Sequence, residues 1–97
     1  MERSLAALKV ARREILDLAN RYGASDVRVF GSVSRGAANS RSDFDFLVRY
    51  EAGRTLVDHV ALVQALSELL RGRVDVVSDR AVPEILRAKV LQEAVPL

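Results

Sequence analysis

The chain has 97 residues, 49% of them hydrophobic, which allows one domain, residues 1–97, and no second independent core. Fifteen basic residues face thirteen acidic ones, and a net charge of +2 does not by itself argue for nucleic-acid binding. Without cysteine there are no disulfides or thiolate metal ligands, and no apolar run reaches the roughly 18 residues of a membrane span, so we expect a cytoplasmic protein without membrane association.

The first predicted element is an amphipathic helix from about Ser4 to Tyr22. Its apolar residues recur at spacings of three and four, which places them on one helical face: Leu5, Leu8, Ala11, Ile15, Leu18, Ala19 and Tyr22. Gly23 is typical of a helix end. The pattern therefore predicts a helix that covers a sheet.

Two strands follow, separated by a polar connection. The short apolar run from Val27 to Phe30 predicts a strand that ends at a glycine-serine turn, Gly31-Ser32. Residues 33–36 are expected to form one helical turn, and residues 37–42 a loop. From Asp43 to Arg49 acidic and aromatic residues alternate, which predicts a strand with one acidic face, looking into a cleft, and one packed face.

The second half of the chain predicts helix, strand and helix. The helix at 56–70 ends at Gly72 and is apolar almost all round, as is the last helix at 83–95, which suggests a partner surface. A third short strand covers Val74 to Val77. The order α-β-β-α-β-α favours an α+β fold, a small mixed β-sheet with helices packed mainly on one face.

Three aspartates on the predicted strands are candidate metal ligands. Asp43 and Asp45 share a strand face, about 6.6–7 Å apart along the chain. Such a pair repels unless a cation lies between its members, and oxygen-only ligands favour Mg²⁺ or Mn²⁺ over Zn²⁺. Alone, the pair also fits a solvated strand face. Asp75 looks toward the same cleft if its flanking valines face the helices; otherwise it is a surface or strand-end acid.

The Gly31-Ser32 turn is a candidate phosphate site. Glycine allows close approach of the backbone, and turn N–H groups with a serine hydroxyl can bind an anion. Arg35 either pairs with phosphate or braces the loop by bonding its carbonyls or an aspartate. A phosphate cradle beside paired carboxylates, with a third on another strand, indicates two-metal phosphoryl or nucleotidyl transfer.

These residues form one spaced motif, Gly-Ser-x-x-Arg-Gly, six residues, then Asp-x-Asp and a hydrophobic pair: Gly31, Ser32, Arg35, Gly36, Asp43, Asp45, Phe46 and Leu47. The motif resembles the nucleotidyltransferase superfamily of DNA polymerase beta, and more closely the minimal nucleotidyltransferase (MNT) proteins of prokaryotes. The resemblance extends over nearly the whole chain. It implies a minimal nucleotidyltransferase fold and an antitoxin that acts on a HEPN-type RNase toxin, in some relatives by transferring AMP from ATP to a toxin tyrosine.

Carried over residue by residue, the resemblance implies a role for each position. The Gly31-Ser32 turn would hold the triphosphate, and Arg35 would support the loop or contact phosphate. Asp43 and Asp45 would ligate both Mg²⁺ ions, and Asp75 would complete the metal site and help to deprotonate the acceptor hydroxyl. Ser34 stands where the family often has alanine, which removes no proposed ligand.

Two other functions remain open from the sequence. The first is an inhibitory module that keeps the motif but neutralises its toxin by contact alone. The second is a small-molecule nucleotidyltransferase that resembles aminoglycoside-modifying enzymes, for which 97 residues leave little room for an acceptor pocket. His59 has no second histidine near it in the sequence, and we interpret it as a surface or partner-contacting residue.

Overall fold

A computed structural model describes residues 1–97. Five α-helices, four strands and one 3₁₀ turn follow each other in the order α1 Leu5–Val10, α2 Arg12–Arg21, β1 Ala24–Phe30, α3 Gly31–Ser34, β2 Phe44–Tyr50, α4 Leu56–Leu70, β3 Val74–Ser78, the 3₁₀ turn Asp79–Ala81, α5 Glu84–Glu93 and β4 Val95–Pro96. None of the helices is both long and apolar enough to cross a membrane.

The four strands form one mixed sheet in the order β3-β2-β1-β4. Strand β1 is antiparallel to both β2 and β4, whereas β2 and β3 are parallel and are joined by α4. The register places Asp45 of β2 opposite Phe30 on one side and opposite Asp75 on the other. The topology therefore brings the end of β1 and the acids of β2 and β3 to one region of the sheet.

The hydrophobic core lies between one face of the sheet and helices α1, α2 and α4. The aromatic side of β2, Phe44 and Phe46, is completely buried there. The other members of this core cluster are aliphatic: Leu8, Ala11, Ile15, Ala19, Ala24, Val27, Val29, Val33, Val48, Leu62, Leu66, Leu70 and Val76. The alternation read from the sequence of β2 is thus confirmed, and Asp45, the one acidic residue of β2, faces away from this core.

Helix α5 crosses the opposite face of the sheet and buries none of its residues. A cavity of about 240 Å³ separates its Arg87 and Leu91 from Arg28 and Leu47 of the sheet, and Leu47 is 2% exposed. The predicted fold class, α+β with a mixed sheet and helices mainly on one face, is confirmed. Helix α5 is the single helix on the face of the sheet that carries Asp45.

The structure differs from the sequence prediction at both ends of the chain. The first helix is divided at Ala11, whose φ of −90° and ψ of 10° leave the helical region, so that α1 and α2 are separate. The two-residue strand β4 was not predicted, because so short a segment carries no periodicity. It is nevertheless held firmly: Leu97 donates its N–H to Val27 at 3.0 Å, and Arg12 Nε donates to the Leu97 carbonyl oxygen at 2.7 Å.

Ser4 caps α1, and its replacement should weaken the fold modestly. Its Oγ accepts the N–H of Ala7 at 3.1 Å, and α1 contributes the fully buried Leu8 to the core. We expect Ser4→Ala to lower the free energy of unfolding by about 1 kcal/mol. Urea unfolding measures this, with Ser4→Asp as a control that keeps an acceptor. Equal stability of Ser4→Ala and wild type would contradict the role of the cap.

Candidate active site

Gly31 joins strand β1 to the acidic face of β2. Its φ of +75° lies in the region that favours glycine, and it begins the single turn α3 directly after Phe30. A Cβ built on Gly31 would collide with the carboxylate of Asp45. The absence of a side chain therefore lets the turn lie against the carboxylate, as close approach of phosphate and metal ligands requires.

Backbone and side-chain hydrogen bonds hold the turn after Gly31 in one shape. Ser34 donates its hydroxyl to the Gly31 carbonyl oxygen at 2.8 Å, and Arg35 donates its N–H to the same oxygen at 3.2 Å. The N–H of Ala37 donates to the Ser32 carbonyl oxygen at 2.9 Å. The hydroxyl of Ser32 takes no part in these bonds and is free to bind a ligand.

The three predicted carboxylates lie on one face of two adjacent strands. Asp45 and Asp75 are direct partners in the parallel ladder between β2 and β3, and Asp43 precedes Asp45 by two residues. Asp75 is exposed because β3 is an edge strand of the sheet, not a buried strand. The edge position leaves Asp75 accessible to a second molecule that approaches the site.

Asp45 is the electrostatic centre of this group. Partial burial, together with the negative charges of Asp75 and Asp43, raises the pKa of Asp45 to about 6, and the positive charge of Arg35 opposes this shift. A carboxyl held between two like charges is stabilised in its charged form by a bound cation. The site is therefore built to attract positive charge.

The three carboxylates are oxygen ligands that suit a hard divalent cation, although their side chains do not converge on one point. No three carboxylates or imidazoles converge closely enough to hold an ion as the structure stands. Asp43 Oδ1 lies 3.5 Å from Nε of Arg73, whose side chain is almost fully exposed. An ion pair this exposed contributes little stability. Asp43 can thus exchange Arg73 for an ion at small cost, and oxygen-only ligands suit Mg²⁺ or Mn²⁺.

Arg35 braces the last helix. Its Nη1 donates to Oε1 of Glu93 at 3.0 Å, across 58 residues of sequence. The bracing partner is therefore a carboxylate of α5 and not a loop carbonyl or one of the three aspartates. Glu93 was not singled out in the sequence, and no local pattern could have identified it, because only the return of the chain through α5 brings it to the turn.

The acidic face is open around the three aspartates. The surface has four cavities, and none of them is lined by Asp43, Asp45 or Asp75. The cleft expected from the sequence is therefore incomplete, because this small domain has only the single helix α5 to build a wall.

His59 has a structural contact outside this region. Its Nδ1 lies 2.8 Å from the hydroxyl of Tyr50, and the two rings meet edge to face. The pair joins the start of α4 to the end of β2, on the far side of β2 from Asp45. His59 therefore contacts Tyr50 within the chain and lies away from the three aspartates.

The raised pKa of Asp45 predicts a pH dependence of the metal-free protein. Between about pH 4 and pH 6 the folded chain holds a proton on Asp45 that the unfolded chain has released. Protonated Asp45 thus stabilises the fold at low pH, and this contribution is lost as the pH rises through 6.

Urea unfolding in EDTA across this pH range checks the prediction, with Asp45→Asn as the reference that lacks the titrating group. We expect the stability of the variant relative to wild type to increase as the pH rises. A difference that does not change with pH would contradict the assigned shift.

The paired carboxylates at the start of β2, set against the glycine-serine turn of a mixed sheet, are the arrangement that the resemblance to nucleotidyltransferases implies. The sequence profile described as the nucleotidyltransferase domain matches residues 10–95, and the chain belongs to this family. A solved structure that was provisionally described as a minimal nucleotidyltransferase is 52% identical, with a TM-score of 0.86, and the match covers 97% of this chain and 96% of that one. The resemblance seen in the sequence is thereby confirmed, and the chain is an enzyme of the nucleotidyltransferase class.

Two relatives of known name are described as protein adenylyltransferases. Protein adenylyltransferase MntA of Thermococcus cleftensis is 37% identical over 81% of this chain and 80% of its own length. A Methanocaldococcus jannaschii protein with a provisional assignment as a protein adenylyltransferase is 33% identical over 87% of this chain and 90% of its own length.

Toxin–antitoxin complexes share the fold at lower sequence identity. One complex with AMP-PNP contains a chain with a TM-score of 0.75 and 24% identity, covering 87% of this chain and 69% of that one. A complex of tri-AMPylated HEPN toxin from Shewanella oneidensis with MNT antitoxin contains a chain with a TM-score of 0.69 and 21% identity. This match covers 91% of our chain and 69% of that one.

Proposed function

We propose that the chain is a Mg²⁺-dependent adenylyltransferase antitoxin that transfers AMP from ATP to a tyrosine of a HEPN-type RNase toxin and binds that toxin. The observation that carries the proposal is the contact of Gly31 with Asp45, which sets a phosphate-binding turn against a group of three carboxylates. The named adenylyltransferase relatives support AMP as the transferred group. The complex of an MNT antitoxin with a tri-AMPylated HEPN toxin supports the class of acceptor.

In this mechanism each residue of the site has an assigned role. The Gly31-Ser32 turn and Arg35 would bind the triphosphate of ATP, and Asp43, Asp45 and Asp75 would hold two Mg²⁺ ions, for which Mn²⁺ can substitute. Ions held there would neutralise charge on the triphosphate and on the acceptor oxygen. The tyrosine oxygen attacks the α-phosphorus, the bond to pyrophosphate breaks, and Asp75 on the open edge receives the hydroxyl proton.

The acceptor is proposed to be a protein because the chain builds no acceptor pocket of its own. The three carboxylates lie on an open face, which argues against a small-molecule acceptor of the aminoglycoside kind. Two helices carry exposed apolar residues, among them Val57 of α4, which is 77% exposed, and Ile85 of α5, which is 90% exposed. Such surfaces are suited to binding a partner that also completes the wall of the site.

A labelling experiment with the purified protein and its cognate HEPN-type partner tests this proposal. We expect label from the α-phosphate of ATP to appear on the partner in the presence of Mg²⁺, and label from the γ-phosphate to leave with pyrophosphate. Absence of α-label on the partner, with its toxicity still suppressed, would contradict the catalytic proposal.

Inhibition by contact alone is the second candidate function. It is favoured by the pairing of Asp43 with Arg73 and by the exposed apolar helices, neither of which needs catalysis. The double variant Asp43→Asn with Asp45→Asn separates the two candidates in a growth assay with the toxin. Neutralisation equal to wild type would favour contact alone, and loss of neutralisation with retained binding would favour catalysis.

A further inference from the structure

The ion pair between Arg35 and Glu93 links the phosphate-binding turn to the end of the chain. Arg35 directly follows α3, and Glu93 is the last residue of α5. Their side chains are unequally accessible, since Arg35 is 50% exposed and Glu93 is 19% exposed. The more exposed Arg35 guanidinium is thus held by the less exposed Glu93 carboxylate.

Glu93 is fixed in position by the residues that follow it. Two residues later Val95 pairs with Val29 of β1, and Pro96 pairs with Arg28. The same strand β1 ends at the glycine-serine turn, so one rigid strand carries the turn at its end and holds β4 along its side. The backbone that follows Glu93 is therefore tied to the strand that ends at the turn, even though α5 itself buries no residue.

Arg35 has a competing set of partners close by. Its charge already acts on the carboxylate of Asp45, and a guanidinium without another partner would be drawn to the acids of the site. There it would occupy the positions that metal ions need. The hydrogen bond to Glu93 uses one donor, Nη1, of the five that a guanidinium carries, and the others stay available for a phosphate.

We propose that Glu93 is a positioning residue for nucleotide binding, which holds the Arg35 guanidinium beside the phosphate turn and away from the metal-binding carboxylates. This inference rests on the proposed function, because it assigns Arg35 to the triphosphate. In this role the Glu93 carboxylate acts through Arg35.

Binding of α,β-methylene-ATP with Mg²⁺ to the purified full chain tests the role of Glu93 without any acceptor. We expect Glu93→Gln to weaken this binding about tenfold, because a charge-assisted hydrogen bond that orients the arginine is lost. Glu93→Asp keeps the carboxylate and should bind more tightly than Glu93→Gln. Glu84→Gln, an exposed acid at the other end of α5, is the matched control and should bind like wild type.

A double variant distinguishes positioning from a general structural effect. If Glu93 acts through Arg35, then Arg35→Ala combined with Glu93→Gln should bind no more weakly than Arg35→Ala alone. Thermal unfolding of each variant identifies loss of fold as an independent cause.

Two results would overturn the inference: unchanged analogue binding by Glu93→Gln, or additive losses in the double variant. Failure of the proposed function would give a different result: the wild-type protein would bind the analogue but would transfer no AMP to its partner.

Discussion

Replacement of Asp45 with asparagine should lower AMP transfer by about 10³-fold, because the loss of a metal ligand removes several kcal/mol of transition-state stabilisation. The same change should stabilise the metal-free protein. Partial burial, together with the like charges of Asp75 and Asp43, raises the pKa of Asp45 to about 6. Asparagine keeps the shape of the side chain and removes the repulsion, so activity and stability are expected to change in opposite directions.

Two measurements check this pair of effects: the rate of transfer from α-labelled ATP, and urea unfolding in EDTA at neutral pH. Asp17→Asn is the matched control, since Asp17 is an exposed acid on α2, on the other side of the sheet, and takes part in no ion pair. It should change neither quantity. A variant Asp45→Asn that is active, or that is less stable than wild type, would contradict the place of Asp45 at the centre of the acidic site.

Replacement of Gly31 with alanine should reduce transfer by about 10²-fold, because displacement of a catalytic group by about 1 Å has an effect of this size. The new Cβ would collide with the Asp45 carboxylate, so either the carboxylate or the turn must move. A positive φ adds backbone strain of about 1–3 kcal/mol for a residue with a side chain. The variant should therefore lose both activity and stability.

The variant Gly53→Ala is a control that introduces backbone strain without displacing the Asp45 carboxylate. Gly53 has a φ of +88°, but a Cβ there would meet no atom within 4 Å, and the residue lies outside the site. This control should lose stability and keep its transfer rate, measured per folded molecule. Equal transfer rates in Gly31→Ala and Gly53→Ala would show that the contact with Asp45 is not needed for catalysis.

The central part of the fold could be predicted because strong local patterns determine it. The alternation in β2 specifies which face is packed, and burial of Phe44 and Phe46 follows from that pattern. The bounds of α4 were predicted correctly at 56–70, because apolar residues fill the segment and a glycine follows it. The fixed spacing between the Gly31-Ser32 turn and the paired aspartates was sufficient to indicate the family.

The features that could not be predicted all depend on contacts between distant residues. Strand order makes β3 an edge strand and leaves Asp75 exposed, and no property of the valines around it shows this. Strand β4 exists only because the chain returns to β1. Arg35 pairs with Glu93 for the same reason, and the sequence could not identify this partner.

The open face around the three acids bears on which acceptor hydroxyl the enzyme can modify. An enzyme that builds only part of its acceptor site has little means of transferring AMP to water-exposed or unrelated hydroxyls. A partner that docks on the apolar helices would complete the wall and bring its hydroxyl to Asp75 at the same time. On this account specificity comes from the complex and not from a pocket in the enzyme.

The most direct test of the central claim is the intact mass of the HEPN-type partner purified from cells that also produce this protein. We predict that the partner gains the mass of one or more AMP groups on tyrosine with the wild-type protein. It should gain none with Asp43→Asn combined with Asp45→Asn, although that variant still binds the partner. An unmodified partner in both cases, with its toxicity suppressed in both, would contradict the claim that these carboxylates neutralise the toxin by AMP transfer.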